Sequence, residues 1–159
     1  MKAAVVISGC GVFDGAEIHE TVMTLYALDK NGCSYQLFAP NVMQHHVINH
    51  ITGEVMQESR NVLTEAARIA RGKIKALTEY RAADFDALIF PGGFGVAKNL
   101  CTYAFDGPEC HVDRVVEEVV RETHEAGKPI GALCISPVLI ARVLGDVTVT
   151  IGSDATTAA

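Results

Sequence analysis

Four short apolar runs, at residues 3–7, 35–38, 87–90 and 130–133, are nearly unbroken and are bounded by Gly, Pro or Asp. A strand with water on one side alternates polar and apolar residues. Runs without that alternation are covered on both faces, as in a parallel sheet between two layers of helices. The intervening segments carry helical spacing. Ile18, Val22, Leu25 and Leu28 recur on one face and end at Asn31-Gly32, a C-cap pair. Val62, Ala66, Ile69 and Ala70 repeat the pattern before Gly72, and Val112, Val115, Val116, Val119 and Val120 form the strongest stripe. That last helix is expected to open at Asp106-Gly107-Pro108-Glu109 and to stop at Gly127-Lys128-Pro129. Alternating β and α at these intervals predicts an α/β fold: a doubly wound, mostly parallel sheet with right-handed crossovers, in a single domain over residues 1–159.

Two stretches fit this pattern poorly. Residues 40–60 are polar and rich in histidine, and read as an insertion or lid between the second strand and its helix. Residues 147–151 read as another strand with only eight residues after them, so the chain is expected to stop short of the helix that usually covers a last strand.

Composition removes several function classes. The 159 residues are 49% apolar, enough for one core, and the net charge of −6 has no basic cluster beside it. Trp is absent, so no stacking platform for bases is visible and no nucleic-acid partner is expected. No apolar run approaches the roughly 18 residues of a membrane span, and residues 3–7 are better read as a first strand than as a leader. Five cysteines without the spacing of a disulfide framework or CxxC site point to free thiols in a reducing, cytoplasmic setting.

The chemistry concentrates where strands end. Gly131-Ala132-Leu133-Cys134-Ile135-Ser136-Pro137 reads as a buried strand turning sharply into a helix, with a cysteine at the corner. Such an elbow exposes a nucleophile beside free backbone N–H groups. A helix beginning at Ile135 would set its positive dipole end against Cys134 and lower the thiol pKa; the bland alternative is a buried, inert cysteine. Pro91-Gly92-Gly93-Phe94-Gly95 also follows a strand, and its glycines permit close approach of backbone N–H groups, or simply a tight turn. Glu17, His19 and Glu20 fall at the start of the first helix, where acids ordinarily complement the dipole. A carboxyl beside a cysteine can instead shuttle protons, and the sequence leaves Glu17 and Glu20 as equal choices. Cys10 also follows a strand, but without an elbow. Gly9-Cys10-Gly11-Val12-Phe13-Asp14-Gly15 has its third glycine one residue too far for a dinucleotide site, and the second strand ends without an acid for a ribose. His45, His46, His50 and Glu54 lack the HExxH pattern, and Gly53 interrupts any helix, so no metal site is expected.

Several blocks together resemble a known superfamily. These are Ser8-Gly9-Cys10-Gly11-Val12-Phe13-Asp14-Gly15-Ala16-Glu17-Ile18-His19-Glu20, Val47-Ile48-Asn49-His50-Ile51-Thr52-Gly53-Glu54, Arg60-Asn61-Val62-Leu63, Pro91-Gly92-Gly93-Phe94-Gly95-Val96-Ala97-Lys98-Asn99-Leu100 and Cys134-Ile135-Ser136-Pro137. They resemble the class I glutamine-amidotransferase-like superfamily, which includes PfpI-type proteases and cofactor-independent glyoxalases, and most closely its ElbB branch of isoprenoid biosynthesis proteins with an amidotransferase-like domain. The resemblance implies a flavodoxin-like three-layer sandwich that here lacks a C-terminal strand and helix. It also implies Cys134 as nucleophile, Glu20 as the carboxyl at its sulfur, and Gly93 and Ile135 as oxyanion N–H donors. Gly92, Cys10, His19, Glu17 and Asn99 would line the pocket, and the protein would be a homodimer.

One departure narrows the activity. Family hydrolases need a histidine at or after the cysteine, whereas Ile135 follows it here and the last histidine is His124. A thiolate and a carboxyl without histidine suit a small 2-oxoaldehyde such as methylglyoxal or glyoxal. Cys134 would form a hemithioacetal, Glu20 would move a proton between the two carbons, and water would release the 2-hydroxy acid without a cofactor. The rivals are a redox or electrophile sensor without turnover, and a non-catalytic amidotransferase-like partner linked to isoprenoid metabolism. Both the glyoxalase and the sensor are expected to hold Cys134 as a thiolate at neutral pH.

Overall fold

The computed structural model describes residues 1–150. In chain order they form β1 (Lys2–Val6), α1 (Ile18–Lys30), β2 (Ser34–Ala39), α2 (Val62–Ala70), β3 (Ile74–Ala76), β4 (Ala87–Phe90), a π-helical turn (Val96–Leu100), the short α3 (Tyr103–Asp106), α4 (Arg114–Glu125), β5 (Ile130–Ala132) and α5 (Pro137–Leu144). The five strands make one sheet in the order β3-β2-β1-β4-β5, and every pairing is parallel. Ala4 of β1 stands between Gln36 of β2 and Leu88 of β4, and Leu88 in turn faces Ile130 of β5.

The unbroken apolar runs have the meaning expected of them. Successive β1 side chains point to opposite faces, so Ala3, Val5 and Ile7 join one buried cluster while Ala4 and Val6 join another. The first cluster is closed by Leu28 of α1 and by Val62, Ala66 and Ala70 of α2. The second is closed by Val116, Val119 and Val120 of α4 and Leu139, Ile140 and Val143 of α5. Helices therefore cover both faces, which makes a three-layer α/β sandwich. Inside the second layer Tyr80 is fully enclosed, and its hydroxyl shares a 2.7 Å hydrogen bond with Thr123.

Several local expectations are corrected. The α4 helix does not open at Asp106; that segment forms α3 and a separate 3-10 turn. Its N-cap is Asp113, whose carboxylate accepts from the Val115 and Val116 N–H groups at 3.0 and 3.2 Å. Val112 lies outside the helix and bridges to Cys101. The α5 helix begins at Pro137 rather than Ile135. β3 escaped the sequence reading because three residues with a central lysine make no apolar run, and an edge strand needs none. Residues 147–150 form no strand, and Ile151 lies outside the described residues.

Topology places the site. The chain steps outward from β1 to β2 and β3, then crosses to β4 on the other side of β1. The winding thus reverses between β1 and β4, and ligands of open α/β sheets bind over the carboxyl ends of the strands at such a reversal. Leu88 is wholly buried beside it. Leu88→Ala is expected to cost about 2–5 kcal/mol, read as a lower urea midpoint with an unchanged slope.

Candidate active site at the strand ends

Leu133 continues the β4–β5 ladder by donating its N–H to Phe90 O at 3.0 Å, and the chain then turns. The Ser136 N–H closes the turn on Leu133 O at 2.9 Å, while its buried hydroxyl donates to Pro91 O at 2.9 Å and ties the two loops together. Between them Cys134 adopts φ +55°, a left-handed conformation that costs a non-glycine residue about 1–3 kcal/mol. The result is an elbow that leaves Cys134 exposed.

The loop after β4 supplies the opposite wall. A side chain on Gly92 would place its Cβ 2.5 Å from Cys134 Cβ and 2.6 Å from Glu20 Oε2. Only glycine fits, and the thiol and the carboxylate thereby meet across it. The Gly92 N–H donates to Glu20 Oε2 at 2.8 Å, and its carbonyl accepts from the Glu17 N–H at 2.9 Å. Gly93 has φ +103°, and a Cβ there would collide with Glu17 N and Gly15 O, each at 2.4 Å. The Gly93 and Ile135 N–H groups donate to no backbone carbonyl among the described residues, and both favour the Cys134 thiolate.

This geometry separates two acids that the sequence leaves equivalent. Glu17 is the N-cap of α1, accepting the Glu20 N–H at 2.6 Å and pairing with His19 Nδ1 at 2.9 Å. Burial raises its pKa, but the Glu20 N–H and His19 outweigh that and hold it below the ordinary carboxylate range. His19 projects into solvent, with 91% of its side chain exposed. Glu20, in the first turn of the helix, is the carboxyl turned toward the cysteine.

The electrostatics overturn the expected thiolate. Although the residue as a whole is exposed, partial burial of the thiol and the neighbouring Glu20 carboxylate push Cys134 above its ordinary value, against the lowering effect of the Gly93 and Ile135 N–H groups. The physical reason is that a carboxylate stands at the sulfur while α5 starts three residues later than Cys134. Cys10 is also raised, by burial and by Glu65 and Asp14 against the opposing Arg68. Cys101, buried beside Cys110, is pushed up to about 12.

The remaining pocket residues have other duties. Asn99, on the π-helical turn, donates to Ser8 O at 3.0 Å and Asp14 O at 2.9 Å, and accepts the His45 N–H at 2.9 Å. It pins loops together. Asp14, which the sequence reading passed over, is buried, and its carboxylate accepts the Ile48 N–H at 2.7 Å. Residues 40–60 are thus moored to the strand-end loops. His50 Nε2 accepts the Phe13 N–H at 3.3 Å, and His45 stacks on Phe105 with ring centroids 4.1 Å apart. Burial, together with His45 and Lys98, holds His46 below the ordinary histidine value. Among the described residues, no three His, Cys, Asp or Glu side chains are grouped to hold a metal ion.

Comparison with known proteins gives this geometry a lineage. The model of the DJ-1/PfpI family matches residues 3–153. The human mitochondrial protein named glutamine amidotransferase-like class 1 domain-containing protein 3 is 57% identical over 154 residues, covering 96% of this chain and 58% of its own length. The rat mitochondrial ES1 protein homolog is 55% identical over 154 residues, with the same coverage. This chain therefore spans about three-fifths of those relatives. A crystal structure of an isoprenoid biosynthesis protein with amidotransferase-like domain from Ehrlichia chaffeensis is 41% identical, with TM-score 0.88 over 93% of this chain and 70% of that one. None of the three is named a glyoxalase. Two of them are named as mitochondrial, which overturns the cytoplasmic setting inferred from the cysteines; unpaired thiols mark a reducing environment and do not name the compartment.

The raised thiol has a measurable consequence. Glu20→Gln removes the charge that disfavours the thiolate, so Cys134 in the variant should alkylate with iodoacetamide faster than wild type at pH 7. The pH midpoint of alkylation should fall, and an unchanged midpoint would show that Glu20 does not govern the thiol. Gly92→Ala is expected to separate the two groups and to abolish that dependence.

Proposed function

Since the chain belongs to the DJ-1/PfpI family, we propose that it is a cofactor-independent glyoxalase acting on methylglyoxal or glyoxal, with Cys134 as nucleophile and Glu20 as the acid–base group. The observation that carries this reading is the meeting of the Cys134 and Glu20 side chains across Gly92, with the Gly93 and Ile135 N–H groups claimed by no backbone carbonyl among the described residues. A thiol held above its usual pKa is not a preformed thiolate, so the first step differs from the simplest scheme. Glu20 takes the S–H proton as sulfur bonds to the aldehyde carbon. The aldehyde oxygen, stabilised by the Gly93 and Ile135 N–H groups, then takes that proton back from Glu20 to give the hemithioacetal and leave Glu20 free to act as base.

Glu20 next removes the C1 proton, and the resulting enediol is reprotonated at C2 to leave a thioester of the 2-hydroxy acid. Water cleaves the thioester, returning the proton to sulfur and releasing lactate from methylglyoxal. No redox partner enters, because C1 is oxidised as C2 is reduced. Loss of one oxyanion donor costs about 3 kcal/mol in comparable sites.

The sensor reading is less well supported, since a thiol held protonated at rest oxidises slowly. By kinship with the mitochondrial relatives, the proposed setting is mitochondrial. The homodimer is retained as part of the proposal, and the exposed Ile18, Val22, Met23 and Tyr26 on α1 offer apolar surface for a second copy to cover.

The test is lactate formation from methylglyoxal by the purified chain. Cys134→Ala and Glu20→Gln should each reduce kcat by at least about 100-fold, and wild-type activity no greater than that of Cys134→Ala sinks the proposal.

A further inference from the structure

Ten of the thirteen lysines and arginines rest against a carboxylate, a carbonyl oxygen or an aromatic ring. Among the described residues, the three without such a contact are Arg71, Lys73 and Lys75. All lie in the passage from α2 into β3. Contrary to the unclustered charge expected from composition, three cations within five residues and without a counter-charge form a local excess of one sign in a chain of net charge −6.

Two of them stand at the rim of a cavity of about 540 Å³. Its walls are Leu25 from α1, Tyr35 and Leu37 from β2, and Ile69 from α2, with Arg71 and Lys73 beside them and no carboxylate among the lining residues. Leu37 is buried, and Leu25 and Ile69 are partly buried against the same apolar cluster, so the floor is core material rather than loose surface. The volume falls in the range of about 300–1,000 Å³ typical of small-molecule sites. The cavity lies at the amino ends of β2 and β3, at the opposite end of the sheet from Cys134.

Arg71 is the C-cap of α2 by its backbone, which leaves its charged head free of that duty. Backbone N–H groups also serve the last turn, with Ala67 O accepting the Gly72 N–H at 2.9 Å and Ala70 O accepting the Lys73 N–H at 3.0 Å. An apolar floor, a cationic rim and no competing acid are complementary to one ligand chemistry. We propose that this cavity between α1 and α2 binds a small amphipathic carboxylate, its hydrocarbon lying over Leu25, Leu37 and Ile69 and its head group between Arg71 and Lys73. This site goes beyond the glyoxalase reading and stands independently of it.

Sodium octanoate, held below its micelle threshold, tests the site by isothermal titration calorimetry on the whole chain. Saturable binding is expected, unchanged in Cys134→Ala. Uncharged octanol should bind about tenfold more weakly, and Arg71→Glu with Lys73→Glu should weaken octanoate by about tenfold. Added sodium chloride should weaken octanoate but not octanol. If the double variant fails to fold by circular dichroism, the salt dependence of the wild-type chain decides the question. Absence of saturable binding, equal affinity for octanol and octanoate, salt-independent octanoate binding, or loss of binding in Cys134→Ala would each overturn the proposal.

Discussion

The hydrogen bond from the Gly92 N–H to the Glu20 carboxylate holds the strand-end site together. One donor on the loop after β4 fixes a side chain from α1, and the missing side chain at Gly92 leaves room for Cys134 on the far side. The Gly92 carbonyl makes the reciprocal tie by accepting the Glu17 N–H, so α1 is fastened to that loop by both atoms of one peptide-bearing residue. Ser136 adds the third fastening by donating its buried hydroxyl to Pro91 O. Loops that would otherwise move independently are thus held together by hydrogen bonds where Glu20 and Cys134 meet.

That arrangement also sets the character of the sulfur. A cysteine at a helix start would ordinarily gain from the dipole, but the first hydrogen-bonded turn here belongs to the elbow, and α5 begins only at Pro137. Two N–H groups favour the thiolate while burial and a neighbouring carboxylate oppose it, and the opposing side prevails. The site is therefore suited to proton transfer during attack more than to a standing negative charge.

Much of this was legible in the sequence, for stated reasons. The unbroken runs reported two-sided burial, and the Asn31-Gly32 pair marked the end of α1 within one residue. The Cys134 elbow and the glycine pair could be placed because strand ends and glycines leave local marks. The identity of the acid could not be fixed by such marks, because both sit within one turn at the start of α1, and only the long-range hydrogen bond from the Gly92 N–H to Glu20 separates them from each other. The thiol pKa was misjudged because it depends on a contact between residues more than a hundred positions apart. β3 and the mooring role of Asp14 were invisible for a local reason: an edge strand needs no long apolar run, and a buried aspartate in a glycine-rich loop has the composition of an ordinary turn.

The sheet divides the protein into two separate apolar layers, and the two reactive side chains come from opposite sides of that partition. Glu20 rides on the helix that seals one layer with Leu28, whereas Cys134 precedes the helix that seals the other with Leu139. Their registration is therefore a report on both halves of the interior at once. Loosening either layer would shift one partner and leave the other in place, so the pairing of Cys134 with Glu20 would be lost on warming before helical content is.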